Sequence, residues 1–291
     1  MTDKTTPESS EYLQCRSSRL YVGTPAVMGV LNTTPDSFSD GGEYVEKEVA
    51  LSRIDQMVRE GAGIVDVGGE STRPGSDPVS VETELDRTIP VLEKAISAYP
   101  EVLFSIDTTK YEVASAALDA GAHIINDVSG LKKEPRFADL CAETGAAYIC
   151  MHSQGDPKTM QKSPEYREVV EDIFHFLKDK INYLAGKGVR NVVIDPGIGF
   201  GKTLAHNLKL VSDLAKFKEL KTPILIGASR KSSIGEILGG RQPGGRLAGT
   251  IALHYQCLVN GASIIRVHDV EEAVDSVKIF NAVQAAAKEK V

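Results

Sequence analysis

The residues of this sequence whose types could do chemistry recur at one kind of place, the C-terminal ends of short apolar, β-branched runs. In chain order these ends carry Asn32; Glu70 followed by Ser71, Thr72 and Arg73; Asp107; Asn126; Met151 with His152; Asp195; Ser229, Arg230 and Lys231; and Arg266 with His268. Any one of them, taken singly, is an ordinary strand-end residue. Together they describe a polar rim, and the rim divides by chemistry. Asp107, Asn126 and Asp195 suit a flat heterocycle, because a carboxylate matches the two parallel N–H donors of a 2-amino-pyrimidinone edge. That half fits a pterin or a guanine-like ring. Arg73, Lys231, Arg266 and His268 bring positive charge, and Asn32 offers a hard oxygen of the sort Mg2+ accepts beside phosphate oxygens. That half fits a pyrophosphate.

The elements needed to bring these ends together are legible in the same runs. Val27–Asn32, Ile64–Glu70, Val102–Asp107, His123–Asn126, Ala147–His152, Val192–Asp195, Ile224–Gly227 and Ser263–Val267 read as strands buried on both faces, as in a parallel sheet. Helical patterns lie between them, among them Ala50–Glu60, Tyr111–Ala120, Tyr166–Lys187 and Leu247–Asn260. Several helices run into Gly just before the next strand, at 60–63, 119–122, 143–146, 187–189 and 260–263, where a left-handed cap turns the chain back. Eight such units predict an α/β fold, a TIM (β/α)8 barrel in one domain over residues 13–291, with a doubly wound open sheet as the alternative. Leu13–Thr24 reads as a short hairpin plugging the N-terminal end, and residues 1–12 as a disordered tail. The Gly- and Pro-rich stretches 75–80 and 239–245 read as a βα loop and a helix interruption rather than as linkers.

Two loops, 32–42 and 68–76, mix Gly and Pro with polar groups and suit closure over a substrate, although the same residues are common turn formers. Other motifs fall short. G-x-G-x-G at 197–201 lacks the downstream features of a dinucleotide fold, and Gly-Lys-Thr at 201–203 lacks the upstream Gly of a phosphate loop. His123, His175, His206 and His254 have no ligand spacing and read as packing residues. The formal net charge of −7, from 33 Lys and Arg against 40 Asp and Glu, comes without a basic arm for nucleic acid or membrane. Four Cys residues without a C-x-x-C pair read as reduced structural thiols, which suits the cytoplasm.

Seven segments carry a resemblance: MGVLNTTPDSFSDGG (28–42), DVGGESTRPG (66–75), SIDT (105–108), INDVSG (125–130), DPGIGFGK (195–202), SRK (229–231) and RVHD (266–269). In these the chain resembles the dihydropteroate synthase family from about residue 20 to 285. The resemblance implies substitution at the methylene carbon of 7,8-dihydropterin pyrophosphate by the amine of p-aminobenzoate, with pyrophosphate leaving. It implies that Asp107, Asn126, Met151, Asp195 and Lys231 meet the pterin, and that Thr72, Arg73, Arg266 and His268 hold the pyrophosphate. Phe38, Pro74, Ser229 and Lys231 would border the p-aminobenzoate pocket, the site of sulfonamide binding, and Arg230 either contributes there or pairs structurally. Mg2+ would sit near Asn32, with Asp40 in reach, and the family suggests a homodimer. One departure is Ser153 after Met151 and His152, where the family more often has an apolar residue. Two rivals remain: a pterin-dependent methyltransferase, which has no need of the SRK and TPDSF segments, and a pterin-binding homologue without turnover.

Overall fold

The computed structural model describes residues 11–33, 43–71, 75–155, 160 and 164–287. The chain opens with an antiparallel hairpin, β1 (Tyr12–Cys15) and β2 (Ser18–Tyr21). Eight parallel strands follow: β3 (Ala26–Asn32), β4 (Ile64–Gly68), β5 (Leu103–Asp107), β6 (Ile124–Asp127), β7 (Ala147–Met151), β8 (Val192–Asp195), β9 (Leu225–Ile226) and β10 (Ile264–Val267). Their order is β8-β7-β6-β5-β4-β3-β10-β9, and a parallel bridge from Ile194 to Ile224 joins the two ends. The ring is therefore a barrel, not an open sheet. Helices α1 (Glu43–Glu60), α2 (Val81–Ala98), α3 (Tyr111–Asp119), α4 (Phe137–Thr144), α5 (Val169–Gly186) and α6 (Leu204–Ser212) follow the first six barrel strands in turn. After β9 come α7 (Ser232–Ile237) and α8 (Leu247–Val259), interrupted within the Gly-rich stretch 239–245, and α9 (Val270–Ala286) follows β10.

Side chains alternate across a strand, so each barrel strand supplies two cores. The outward set, including Val65, Val67, Phe104, Ile106, Ile125, Tyr148, Cys150, Ile194, Ile265 and Val267, packs under the helices. Inside the barrel, Met28, Ile64, Leu103, Ile124, Ala147, Ile149, Val193, Leu225 and Ile264 form a separate apolar layer. Leu13, Cys15 and Leu20 of the hairpin join that layer, so the hairpin plugs the barrel as the sequence predicts. Arg16 holds the plug in place by donating to the carbonyls of Leu118 and Ala122 at 2.6 and 3.0 Å.

The strand limits correct the sequence reading at two places. β1 starts at Tyr12, which the sequence assigns to the tail, while residues 1–10 lie outside the described residues. β4 ends at Gly68 rather than Glu70, and the difference matters for the site. At 143–146 the expected glycine cap is present: Gly145, at φ 72°, ends α4 and returns the chain to β7.

Candidate active site

Beyond the apolar layer, the inward face of five of the eight strands turns polar. Asp66 follows Ile64, Ser105 and Asp107 follow Leu103, Asn126 follows Ile124, Asp195 follows Val193 and Arg266 follows Ile264. The period of two thus places these groups above the plug, toward the strand C-termini where barrel enzymes build their sites. Asp66, Asp107, Asn126, Met151 and Asp195 are all buried.

Arg266 is the hub. Its Nε donates to Asp66 Oδ2 at 2.6 Å, and its Nη2 donates to Asp107 Oδ2 at 2.8 Å. Asn126 Nδ2 donates to the same Asp66 oxygen at 2.9 Å. Because a carboxylate oxygen only accepts, this bond commits the amide nitrogen of Asn126 and leaves its carbonyl oxygen for another donor. Asp66 Oδ1 and Asp107 Oδ1 are buried without a hydrogen-bond partner in the structure. Such acceptors are costly to leave unmet and are what a ring presenting N–H donors would satisfy. The two halves of the rim expected from the sequence therefore meet at Arg266, whose guanidinium stands among the carboxylates.

Burial pushes the Asp107 carboxyl up to about 7; Arg266 opposes the rise and Asp66 adds to it. Burial likewise raises Asp195 to about 6, against the pull of the Gly197 N–H, Lys231, Lys202 and Arg266. The Gly197 N–H donates to Asp195 Oδ1 at 2.7 Å. Gly197 has φ 73°, and a Cβ there would lie 1.9 Å from the His152 carbonyl oxygen, so both the backbone angle and the close approach demand glycine. The Lys231 ammonium lies 4.0 Å from the centroid of the Phe200 ring, on the same glycine-rich loop.

On the other side, Ser229 Oγ and His268 Nδ1 are 2.9 Å apart, and the His268 N–H donates back to Ser229 Oγ at 3.2 Å. The loops after β9 and β10 are further joined by Arg230, whose guanidinium pairs in a fork with the Asp269 carboxylate. Arg230 thus takes the structural pairing rather than facing the pocket. Asn32 ends β3 half-buried at the rim. Glu70, beyond the end of β4, turns to Lys110, which also pairs with buried Glu84, so it braces the second loop instead of joining the inner cluster. Phe38, Asp40, Thr72, Arg73 and Pro74 lie outside the described residues.

Two site residues escape a search of strand ends. Asp66 sits mid-strand; the available signal was a carboxylate at even spacing from Ile64 inside an otherwise apolar run. Lys202 is buried within the glycine-rich segment, beside Asp195 and His152. The histidines read as packing residues behave accordingly: His123 accepts the Phe104 N–H at 3.1 Å, His254 accepts that of Ala228 at 3.1 Å, and His206 closes the capping box of α6 with Thr203. All four cysteines are free and buried. Among the described residues no helix is long and apolar enough to cross a membrane.

A barrel with a buried, carboxylate-lined interior toward its C-terminal rim defines a class, and the sequence comparison agrees: a model of the pterin binding enzyme family matches residues 28–268. The chain belongs to that family. Within it, the chain is 44% identical over 280 residues to dihydropteroate synthase of Escherichia coli K12, covering 96% of this chain and 98% of that one. Among solved structures, Xanthomonas albilineans dihydropteroate synthase with 4-aminobenzoic acid superposes with a TM-score of 0.89 at 42% identity, over 95% of this chain and 99% of the other. The same enzyme in complex with 7,8-dihydropteroate gives a TM-score of 0.85 at 40% identity, over 94% and 99%.

Proposed function

We infer that this chain catalyses the dihydropteroate synthase reaction, a transfer of an alkyl group other than methyl in folate synthesis. The methylene carbon of 6-hydroxymethyl-7,8-dihydropterin diphosphate breaks its bond to the pyrophosphate oxygen, which leaves with the electron pair. The amine of p-aminobenzoate then forms the new C–N bond and gives up a proton. The observation that carries this reading is the buried inner cluster: Asp66 and Asp107 with unmet acceptors, Asn126 and Asp195 buried on neighbouring inward faces, and the Arg266 guanidinium alongside. The aligned carboxylates favour an electron-poor pterinylmethyl group, and preorganised charge of this kind is where most rate enhancement originates. No side chain has to act as a nucleophile.

In this reading Asp107, Asn126, Met151, Asp195 and Lys231 bind the pterin. Thr72, Arg73, Arg266 and His268 hold the departing pyrophosphate, and Phe38, Pro74, Ser229 and Lys231 border the p-aminobenzoate pocket. The hydrogen bond from Ser229 to His268 links the amine side to the leaving-group side. Mg2+ would suit the rim by donor chemistry: Asn32 is a neutral oxygen donor at the end of β3, and Mg2+ accepts few protein ligands beside phosphate oxygens. Asn32, with Asp40, would hold it, and its charge would neutralise pyrophosphate. A homodimer in the cytoplasm completes the reading.

The test is incubation with the dihydropterin diphosphate, p-aminobenzoate and Mg2+, following both pyrophosphate and dihydropteroate. Equal yields of the two are expected. Pterin binding without either product would identify a homologue without turnover, and methyl transfer from a methylated pterin would identify a methyltransferase. Light scattering checks the dimer, and turnover after chelation and metal return checks Mg2+.

A further inference from the structure

Lys202 is a cation that none of the roles above uses, and it is 3% exposed. Its ammonium is met by three acceptors: His152 Nδ1 at 3.1 Å, the His152 carbonyl at 3.3 Å and the Phe200 carbonyl at 3.0 Å. As an ammonium Lys202 only donates, so in that state His152 Nδ1 accepts and the ring proton sits on Nε2. Burial, with Lys202 and Lys132 nearby, takes His152 down to about 2, and the ring stays neutral. Phe176 packs edge-on against it at 4.9 Å.

The three bonds fall where the glycine-rich loop passes closest to the chain after β7. Gly197 meets the His152 carbonyl there, and the Gly197 N–H is the one that caps Asp195. Phe200, whose carbonyl Lys202 also holds, carries the ring beneath Lys231. We propose that Lys202 is a positioning residue for the pterin site: its ammonium pins the Gly197–Gly201 loop to the chain after β7, and so fixes both the N–H on Asp195 and the ring under Lys231. The proposal rests on the pterin reading of the pocket.

Charge acts in the same direction. The groups facing Lys202 are Asp195 on β8, Lys132 after β6, His152 after β7 and Lys231 after β9. Burial lowers Lys202 to about 7, with Asp195 opposing the fall. Asp195 in turn is held down by Lys231, Lys202 and Arg266 as well as by the Gly197 N–H. Removing the ammonium therefore raises the Asp195 carboxyl further, and the ring-reading carboxylate is ionised only at higher pH.

The experiment is calorimetric titration with the dihydropterin diphosphate, without p-aminobenzoate, from pH 5.5 to 8. It compares the unaltered protein, Lys202→Met and Lys202→Arg. For Lys202→Met about one unit of upward movement in the acid limb is expected, a loss of about eightfold in affinity at pH 5.5 and about twofold at pH 7. In turnover the KM for the pterin should rise more than kcat falls. Lys202→Arg keeps the charge and should return the limb toward its original position, which a merely structural filler would not do. Affinity within about twofold of the unaltered protein at pH 5.5 and an unmoved limb for Lys202→Met would overturn the proposal. A measurement without any variant stands beside these: affinity of the unaltered protein should fall as pH drops through about 6, where Asp195 takes up a proton, and a flat profile would also overturn it. Absence of pterin binding at every pH would instead refute the pterin reading itself.

Discussion

Asp66 gives the sharpest test of how the inner cluster is held. It is fully buried, and one of its oxygens accepts from both Arg266 and Asn126 while the other has no hydrogen-bond partner in the structure. In Asp66→Asn the amide oxygen can take the place of the shared acceptor, with its NH2 in the unmet position. Both hydrogen bonds survive, and only the charge is lost. The difference between charge-assisted and neutral hydrogen bonds puts the cost at about 1–1.5 kcal/mol. In Asp66→Ala the guanidinium loses one of its two carboxylates and the Asn126 N–H loses its acceptor inside the barrel, a change that costs about 3–5 kcal/mol. At this chain length about 1 kcal/mol corresponds to about 2 °C in Tm, so drops of about 2–3 °C and about 6–10 °C are expected. Both variants should also lower the Asp107 carboxyl from about 7, because the Asp66 charge that raises it is gone. Thermal melting followed by circular dichroism reads the first effect, and the pH dependence of pterin affinity reads the second. Equal melting of Asp66→Ala and Asp66→Asn, or an unmoved pH profile in both, would show that Asp66 does not organise Arg266 and Asn126.

Gly197→Ala should destabilise by about 2 kcal/mol or more, since the new Cβ meets a carbonyl at positive φ; a melt within 1–2 °C (about 1 kcal/mol) of the parent would contradict the close approach. Native stability should carry a site contribution that falls as pH rises from about 4 to 7. Asp107 and Asp195 have folded values near 7 and 6, above their unfolded ones, so their stabilising contribution is complete below the unfolded value and lost through the folded value. Asp107→Asn should flatten that part of the urea-stability profile, and an unchanged slope would count against it. Above about pH 7 the sign reverses for Lys202, whose lowered value makes its contribution grow toward the alkaline side and which Lys202→Met should remove. Asp195→Ala should abolish pterin binding whereas Phe38→Ala should mainly weaken p-aminobenzoate selection, and equal loss of pterin affinity in both would contradict two separate pockets.

The barrel was readable because parallel strands buried on both faces leave near-continuous apolar runs, and glycines mark several of the returns to the sheet. Ring closure was not readable. The pairing that joins β8 to the seventh strand rests on Ile194 and Ile224, far apart in the chain, and β9 itself is only Leu225–Ile226. Asp107, Asn126, Asp195 and Arg266 were visible because each ends or nearly ends its run and shares an inward face with an apolar residue two or four positions earlier. Asp66 follows the same alternation but lies mid-strand, where position along the run hides it.

What the sequence determined by itself is which groups stand at the rim, since strand period and strand end are local properties. Which group meets which was decided only in three dimensions. Arg266 reads as a rim cation, and only the closed barrel shows that its guanidinium reaches across to Asp66 on β4 and Asp107 on β5. Glu70 reads as a rim carboxylate until Lys110 draws it to the outer loop, and Lys202, part of a Gly-Lys-Thr that falls short of a phosphate loop, gains its partners only when the barrel closes around it. The physical reason is that burial and partner choice set the charge and orientation of these groups, and both arise from strands brought together across the barrel rather than from neighbours along the chain.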